Sequence, residues 1–213
     1  MFGHGGNLLT VTGGYGYAGQ SNLSISATWA KVGDLAVLAY HGVGPTGVTS
    51  TNAGPWTEQS SYLYNSNQYI GIWTAPITAA GADTINVTDP GLGTNWSTLW
   101  PAEVSSYSAP TWTISAASNP PGYSSSAFTG TSSTITWASL TPAGANNAFI
   151  GLAVSEYHNV GQPLTPGLQS APINNSSSAF SFYASNVGLG PTDFQAVQSA
   201  AGGYFTIGVL LHA

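Results

Sequence analysis

The sequence predicts an all-β protein, folded as a two-sheet antiparallel sandwich with negligible helix. The first observation is strict alternation, because the apolar residues Leu23, Ile25, Ala27 and Trp29 are separated by polar ones. This is the period of a strand with one buried face. The second is a set of continuous apolar runs, which are typical of strands buried on both faces. The third is the clusters of Gly, Pro and Asn between these segments, which favour turns.

The strand-like segments follow one another at short intervals. In chain order they are residues 8–12, 23–29, 34–41, 84–88, 134–138, 148–155, 180–182 and 204–211. Turn-forming clusters lie at residues 42–55, 89–95, 119–122, 142–147 and 161–175. We expect about a dozen strands in total, which is the pattern of a β-sandwich. No repeat of fixed period and no linker is visible, so a single domain over residues 1–213 is predicted.

Charged residues are almost absent from the chain. Of its 213 residues, seven are Asp or Glu, Lys31 is the one Lys or Arg, and the net charge is −6. A chain with so few cations cannot neutralise a phosphate backbone, so we expect no nucleic-acid binding. Anionic membranes are excluded as partners for the same reason, and no apolar run is long enough to span a bilayer as a helix. Without cysteines, neither disulfides nor thiolate metal sites arise.

One glycine motif resembles a dinucleotide-binding fingerprint. Gly14, Gly16 and Gly19 follow the apolar segment 8–12 with the spacing G-x-G-x-x-G. In a dinucleotide site the last glycine opens a helix. Here the following residues alternate as a strand, so we predict a hairpin loop and no cofactor.

The acidic residues offer weak signals for catalysis. Glu103 and Glu156 both lie on or beside predicted inner strands, and two carboxylates on one face are what glycoside hydrolysis requires. We favour structural roles for both residues and predict no catalytic site. No G-x-S-x-G nucleophile motif is present either.

Metal sites are also disfavoured. His4, His41, His158 and His212 are scattered without zinc-ligand spacing. His41 and His158 end apolar strands, where a hydrogen-bonded or solvent-facing imidazole is expected. The loop at residues 83–95 holds enough Asp and Asn oxygens for calcium but lacks the regular ligand pattern, so no metal is predicted and calcium stays an alternative.

An interaction surface is predicted on two loops. Trp96 and Trp100 lie in a short polar segment, whereas the other tryptophans fall mostly on strands. The long loop at residues 161–175 carries Pro163 and Pro166. Aromatic residues on loops favour contact with another protein subunit or stacking on a sugar.

Several segments together resemble a known family. The run Gly33–Tyr40 is similar to the "GDLLV" strand of concanavalin A-like jelly-roll proteins, which are minor structural proteins, tail- or capsid-associated, of tailed bacteriophages. Residues 55–57, 69–75, 83–88, 102–108 and 201–211 occupy the places of the family's later motifs, in order. Two departures are Pro55, where the family usually has Gly before Trp, and Ala109, where it has Gly after the Tyr-Ser pair.

The resemblance implies a jelly-roll-like sandwich and a place in the virion. We therefore expect a non-catalytic structural protein on the particle surface, either a minor tail protein or a capsid decoration protein. The absence of a basic-apolar leader at residues 1–6 agrees with release by lysis. The expected partners are phage capsid or tail proteins, with self-association possible in principle. The alternatives are a carbohydrate-binding module that recognises host surface glycan and, less favoured, a glycan-cleaving enzyme.

Overall fold

The computed structural model describes residues 9–14, 16–19, 23–64, 68–88, 97–106, 111–119, 132–142, 144, 147–155, 160–171, 173–174, 179–189 and 193–213. These residues form eighteen strands and no helix, so the all-β prediction is confirmed. Within these ranges there is accordingly no helix with the length and apolarity to cross a bilayer.

The first half of the chain, residues 9–106, contains nine strands. They are β1 (Thr10–Gly13), β2 (Gly16–Gly19), β3 (Leu23–Trp29), β4 (Leu35–Gly42), β5 (Gly47–Thr49), β6 (Thr57–Tyr64), β7 (Gln68–Pro76), β8 (Gly81–Thr88) and β9 (Ser97–Ser105). One sheet, which we call inner sheet 1, has the order β2-β9-β4-β7-β6, with β1 also paired to β9. The other, outer sheet 1, has the order β3-β8-β5.

The second half, residues 111–213, contains the other nine described strands. They are β10 (Thr113–Asn119), β11 (Ser132–Thr136), β12 (Asn147–Ser155), β13 (Val160–Pro163), β14 (Gln169–Ser170), β15 (Ile173–Asn174), β16 (Ala179–Val187), β17 (Gln195–Gly202) and β18 (Tyr204–His212). Inner sheet 2 has the order β10-β18-β12-β16-β14, and outer sheet 2 the order β11-β17-β13. β15 crosses over and pairs in parallel with β2 of inner sheet 1.

The four sheets are stacked in four layers. The two inner sheets face each other across a shared core that includes Val37, Ile72, Ile150 and Ile207. Each outer sheet covers the other face of its own inner sheet across a separate core. Each half is thus a two-sheet sandwich, and the two sandwiches pack against each other through their inner sheets. The sequence predicted two sheets, whereas the structure has four.

The two halves repeat one topology. In each inner sheet the first strand of the half pairs with the last strand of that half. The order then continues through β4, β7 and β6 in the first half and through the corresponding strands β12, β16 and β14 in the second. The outer sheets correspond in the same way, β3-β8-β5 to β11-β17-β13. Across the shared core the first strand of each half packs on the inner sheet of the other half, β1 against β16 and β10 against β6. The sequence prediction found no repeat of fixed period, but the topology contains one.

A short sequence match between the halves does not follow this repeat. Residues 35–44 (LAVLAYHGVG) and 152–161 (LAVSEYHNVG) are identical except at three positions. Leu35 begins β4, however, whereas Leu152 is the sixth residue of β12, so the match is out of register with the corresponding strands.

The stacking also explains the continuous apolar runs. All residues of β4 and β12 are buried, because an inner strand contacts a core on each face. The alternating segment and the continuous apolar runs predict a set of core residues, and all of them are buried: Leu23, Ile25, Trp29, Leu35, Val37, Ile150, Leu152, Ile207 and Val209. That part of the sequence prediction is confirmed.

Candidate functional site

A surface cleft of about 490 Å³ lies at one end of the second half. It is bounded by the β13–β14 loop, the end of β16 and the residues that enter β17. Its lining residues are Thr165, Pro166, Gly167, Ala184, Ser185, Asn186, Val187, Gly188, Asp193 and Phe194. We call it the Pro166 cleft.

The β13–β14 loop is held in one conformation by a tight turn. The backbone N–H of Leu168 donates to the carbonyl of Thr165 at 3.1 Å, and Gly167 has a φ of 83°. Pro at the second position and Gly with positive φ at the third are the requirements of a type II turn. The loop is tied to β17 as well, because Gln195 N–H donates to Thr165 Oγ1 at 2.8 Å. This edge of the cleft is therefore rigid.

The opposite wall is fastened to the first half of the chain. Asn186 adopts a left-handed φ of 55°, which Asn tolerates better than most residues. Its Oδ1 accepts the backbone N–H of Leu9 at 3.0 Å, and Ser185 Oγ accepts that of Val11 at 3.1 Å. The cleft thus lies where β1 meets β16, at the junction of the two halves.

The base of the cleft contains one acidic group. Phe194 is buried and stacks on Phe149 with ring centroids 3.9 Å apart, so its ring is not available as a platform. Beside it Asp193 is exposed, and its carboxylate has no ion pair or hydrogen bond with any residue in the described ranges. Leu164 and Leu189, which flank the lining residues in sequence, are 48% and 69% exposed.

The predicted interaction residues differ in their exposure to solvent. Pro166 is exposed and lines the cleft, and Pro163 is half-buried just before it. Trp96 lies outside the described residues. Trp100 is fully buried, so its prediction as a surface residue is wrong.

Trp100 is buried because it lies on β9, a central strand of inner sheet 1. Its ring stacks on Tyr183 of the second half, with centroids 5.6 Å apart and planes 19° from parallel. Gly13 on β1 leaves room for the indole, since a Cβ there would lie 2.5 Å from Trp100 Cζ2. The described part of that segment, residues 97–100, is buried and is therefore not a surface patch.

The corresponding place in the first half is closed by hydrogen bonds. The β5–β6 loop, residues 50–56, packs on the β7–β8 turn, where Thr78 N–H donates to Asn52 O at 2.8 Å and Gly54 N–H to Pro76 O at 3.1 Å. An isolated bridge between Ala53 and Ile77 adds to this contact. The first-half loop pair is thus held together along its length.

Asp83 is the acid at this closed site. Its carboxylate accepts Trp29 Nε1–H at 2.8 Å, Thr51 N–H at 3.1 Å, Asn52 N–H at 3.2 Å and Thr84 N–H at 2.9 Å. Burial opposes ionisation, but hydrogen bonds from Trp29, the Thr51 backbone and other donors outweigh it and lower the pKa of Asp83.

These bonds also bear on the calcium alternative. Asp83 points inward and Asn86 outward from β8, so the two cannot bind one ion; Asp89 and Asn95 lie outside the described residues. More generally, the described part of the chain contains no group of three His, Asp or Glu side chains placed to hold a metal.

Glu103, on β9, is hydrogen-bonded to the β3–β4 turn. It accepts the backbone N–H groups of Ala30 at 2.7 Å and Lys31 at 3.1 Å. Lys31 Nζ lies 3.6 Å from Asp34 Oδ1 and donates to Ser106 O at 2.9 Å. Burial raises the pKa of Glu103, the two backbone bonds oppose this, and the neighbouring Asp34 carboxylate adds to the rise.

This contact bears on Glu103 and Glu156, the two carboxylates considered for glycoside hydrolysis. Glu156 lies outside the described residues, and the acidic neighbour of Glu103 is Asp34. Sequence spacing could not show this contact, because it joins residues that are 69 positions apart.

Glu58 and His41 are two further polar residues of the first half. Glu58 accepts hydrogen bonds from Tyr69 Oη and Ser61 Oγ, and burial together with the Glu58 bond raises the pKa of Tyr69. His41 is buried without a hydrogen-bond partner in the described ranges, and burial lowers its pKa to about 4. The expectation of a bonded or solvent-facing imidazole at His41 is therefore wrong for the described surroundings. His158 and His4 lie outside the described residues.

The glycine motif does not form the predicted hairpin loop, because Gly14 follows β1 and Gly16–Gly19 form β2. β1 and β2 both pair with β9, at successive positions along it, so the motif interrupts one edge strand of inner sheet 1. Gly14 N–H donates to Pro101 O at 2.8 Å within this edge. Residues 23–29, the first described ones after the motif, form strand β3 as their alternation predicted, and the prediction against a dinucleotide site rests on this alternation.

Sequence reasoning did not find Asn186 or Asp193. The Pro166-Gly167 pair indicates a turn from the sequence alone. The loop at residues 161–175 was predicted as an interaction surface because of its prolines. Asp193 and Asn186 carry no local pattern, since each depends on a neighbour from another strand.

Comparisons of the chain with protein-family models, with curated proteins and with solved structures returned no match.

Proposed function

We propose that this chain is a non-catalytic structural protein of a tailed bacteriophage, exposed on the virion surface as a minor tail protein or a capsid decoration protein. It attaches to a capsid or tail protein through the Pro166 cleft. The resemblance of residues 33–40 and the later motifs to phage structural proteins supports the virion setting.

The observation that supports a binding role is the hydrogen bonding of the acidic side chains in the described residues. Asp83, Glu103 and Glu58 accept hydrogen bonds from the protein's own groups. Glu103 and Asp83 also line surface depressions, but their oxygens are engaged by these internal donors, whereas a catalytic carboxyl must be free to exchange a proton with a substrate. The Asp193 carboxylate has no such donor among the described residues, and Asp193 lines a cleft bounded by a hydrogen-bonded turn, which is the arrangement of a recognition site on a scaffold.

The resemblance also suggests a finer description of the fold. In each half the first strand, the last strand and three middle strands share one sheet and three others form the second sheet, which is close to the arrangement of a jelly roll. We propose that the chain is two jelly-roll-like units in tandem.

A second candidate is recognition of host surface glycan. A shallow depression of about 470 Å³ lies on the outward side of outer sheet 1. Its lining includes the hydroxyl and amide side chains of Ser26, Thr28, Asn52, Thr84 and Asn86. Such groups bind sugar hydroxyls, although the aromatic platform that usually accompanies them is missing from this lining.

Labelled particles test the main proposal. Phage particles are purified from the lysed host and labelled with gold-coupled antibody against this chain, and label on intact heads or tails is expected. Absence of label from intact particles, with the protein found free in the lysate, contradicts the virion role.

A polysaccharide assay separates the alternatives. The purified protein is incubated with host cell-wall polysaccharide while retention and new reducing ends are followed. Neither is expected. Retention without turnover favours the glycan-binding candidate, and turnover abolished by Glu103→Gln or Glu156→Gln establishes an enzyme.

A further inference from the structure

Strand β3 forms one edge of outer sheet 1, and its free side borders a groove of about 290 Å³, which we call the β3 groove. We propose that an extended segment of the capsid or tail protein docks in this groove by pairing with β3 as a fourth strand of the sheet. The contact is additional to the Pro166 cleft, and the choice of partner rests on the proposed virion function.

Hydrogen bonds on the far side of β8 show which residues of β3 face the groove. The carbonyls of Ala82 and Thr88 accept bonds from Asn52 Nδ2 at 3.0 Å and Thr46 N–H at 2.7 Å, on the β5 side of β8. Backbone groups alternate in direction along an antiparallel strand, so the intervening residues of β8 bond the apolar residues of β3. The residues of β3 whose backbone groups point away from β8 are Ser24, Ser26 and Thr28.

These backbone groups form an open and regular edge. β3 has seven residues without charge or proline, and it pairs with β8 without a shift in register. Within the described ranges no residue hydrogen-bonds the backbone of Ser26 or Thr28 from the groove side. The other described edges of the outer sheets are short or irregular, since β5 has three residues while β11 and β13 shift register, β13 at Pro163. An unprotected edge such as β3 is a template for another extended chain.

The groove exists because inner sheet 1 extends one strand beyond outer sheet 1. β9 lies beneath β3, and β1 pairs with the side of β9 that is away from β4. On β1, Val11 faces the shared core, whereas Thr12 on the opposite face is exposed. Thr12, Gly13 and Gly14 form the floor of the groove, so a strand added beside β3 would lie over them.

This overhang disfavours a second copy of the chain as the occupant. If β3 paired with β3 of another copy, the two overhanging edges, each built by β1, would occupy the same space. A single extended arm of a different protein carries no such overhang and fits beside β3.

The lining also restricts the composition of the arm. Glu103 is the ionisable residue of the lining, and its oxygens already accept the N–H groups of Ala30 and Lys31. An acidic segment would therefore meet a carboxylate without gaining a hydrogen bond from it. We expect a neutral or basic arm, with small residues facing the floor at Gly13 and Gly14.

Binding of a synthetic strand to the full chain tests the proposal. The probe is an end-capped peptide of alternating alanine and threonine, with a lysine at each end for solubility, added to uniformly 15N-labelled protein. Amide hydrogen exchange is followed by nuclear magnetic resonance. With the peptide at about ten times its Kd, exchange at Ser26 and Thr28 should slow about tenfold, because only the unbound fraction exchanges. Exchange at Ile25 and Ala27, which are bonded to β8, should change little.

Methylated peptides separate strand pairing from other contacts. The same peptide methylated at every second backbone nitrogen keeps one edge that can pair, so it should bind. Methylated at every backbone nitrogen, with its side chains and charge unchanged, it should not bind, because both edges have lost their donors.

Variants of the chain establish the groove as the site. Ser26→Pro removes a donor that does not serve the pairing with β8, and proline is tolerated on edge strands, so peptide binding should weaken about tenfold. If that variant disturbs the spectrum as a whole, Thr12→Tyr serves instead, because it fills the floor from an exposed position. Thr10→Tyr places the same side chain on the same face of β1 outside the lining and should leave binding unchanged.

Specific results overturn the inference. Absence of peptide binding, equal binding of the fully methylated peptide, or binding that Ser26→Pro and Thr12→Tyr leave unchanged excludes strand addition at β3. Concentration-dependent self-association in sedimentation velocity, abolished by Ser26→Pro, assigns the edge to a second copy instead of a different protein. All of these results are independent of antibody labelling of the virion, so failure of the inference can be told from failure of the proposed function.

Discussion

The β5–β6 loop of the first half and the β13–β14 loop of the second half occupy the same place in the repeated topology, yet they differ in their hydrogen bonding. The first is closed on a turn of four residues between β7 and β8, whereas seven residues connect β16 to β17 in the second. The closed pair directs backbone N–H groups at Asp83. The open pair leaves Asp193 in a cleft.

This difference shows how a duplicated scaffold can divide its roles. Both halves need their inner sheets, because each supplies one side of the shared core. The end loops are not needed for that core, so one loop pair can be used for stability and the other for recognition. Stability and binding should therefore respond to different substitutions in the two halves.

The largest expected effect is at the closed loop pair. Asp83→Ala should lower the free energy of unfolding by about 4 kcal/mol, because it leaves the buried Trp29 Nε1–H and several backbone N–H groups without their acceptor. Asp193→Ala should change it by less than about 0.5 kcal/mol, as for most exposed positions. Urea unfolding of both variants measures the difference. Equal losses at the two positions would contradict the contrast between the halves.

The shared core gives the next largest effect, and here the halves should behave alike. Ile150→Ala and Ile72→Ala each remove a fully buried side chain and should each cost about 3 kcal/mol. Ile207→Ala should cost a similar amount. Because the core joins both halves, each variant should show one calorimetric transition at lower temperature. Two separate transitions would mean that the halves unfold independently.

A pH effect of similar size is expected from His41. Burial holds its pKa at about 4 in the folded protein, whereas the unfolded chain takes up this proton near the ordinary value of about 6.5. The unfolded state binds more protons between these values, so stability falls as the pH is lowered from about 6.5 to about 4, by on the order of 3 kcal/mol.

The control is the same measurement on His41→Leu, which lacks the titrating group. Glu103 acts in the opposite sense, since its raised pKa lets the folded state bind a proton more readily as the pH falls. The difference between the wild-type and His41→Leu stability curves removes that contribution. Parallel curves over this pH range would show that His41 does not remain neutral in the folded state.

The smallest effect sharpens the description of the open cleft. Gly167→Ala should destabilise by about 1 kcal/mol, because the type II turn needs a φ of 83° that alanine rarely adopts. Gly188→Ala, at the other side of the cleft, has open space for a Cβ and no positive φ, so it should be nearly neutral. Thermal unfolding of the two variants tests whether the turn is the rigid edge of the cleft.

Sequence periodicity was sufficient for the class of fold and for much of the core. Alternation at residues 23–29 and the apolar run at 34–41 report burial directly, because a strand's side chains point to opposite faces in turn. Leu23, Ile25, Leu35 and Val37 are therefore buried as predicted. The Pro166-Gly167 pair likewise specifies its turn locally, since the two residues restrict φ on their own.

Contacts between distant strands were beyond such reasoning. Trp100 looked exposed in a polar segment, but the stacking of a second sandwich on inner sheet 1 covers it with Tyr183. The partners of Glu103 and Asp83 come from other turns and strands, and the cleft that Asp193 lines is formed by residues of the β13–β14 loop and of β16. A residue's local sequence encodes its strand and face, whereas its partners depend on which strands the fold brings together.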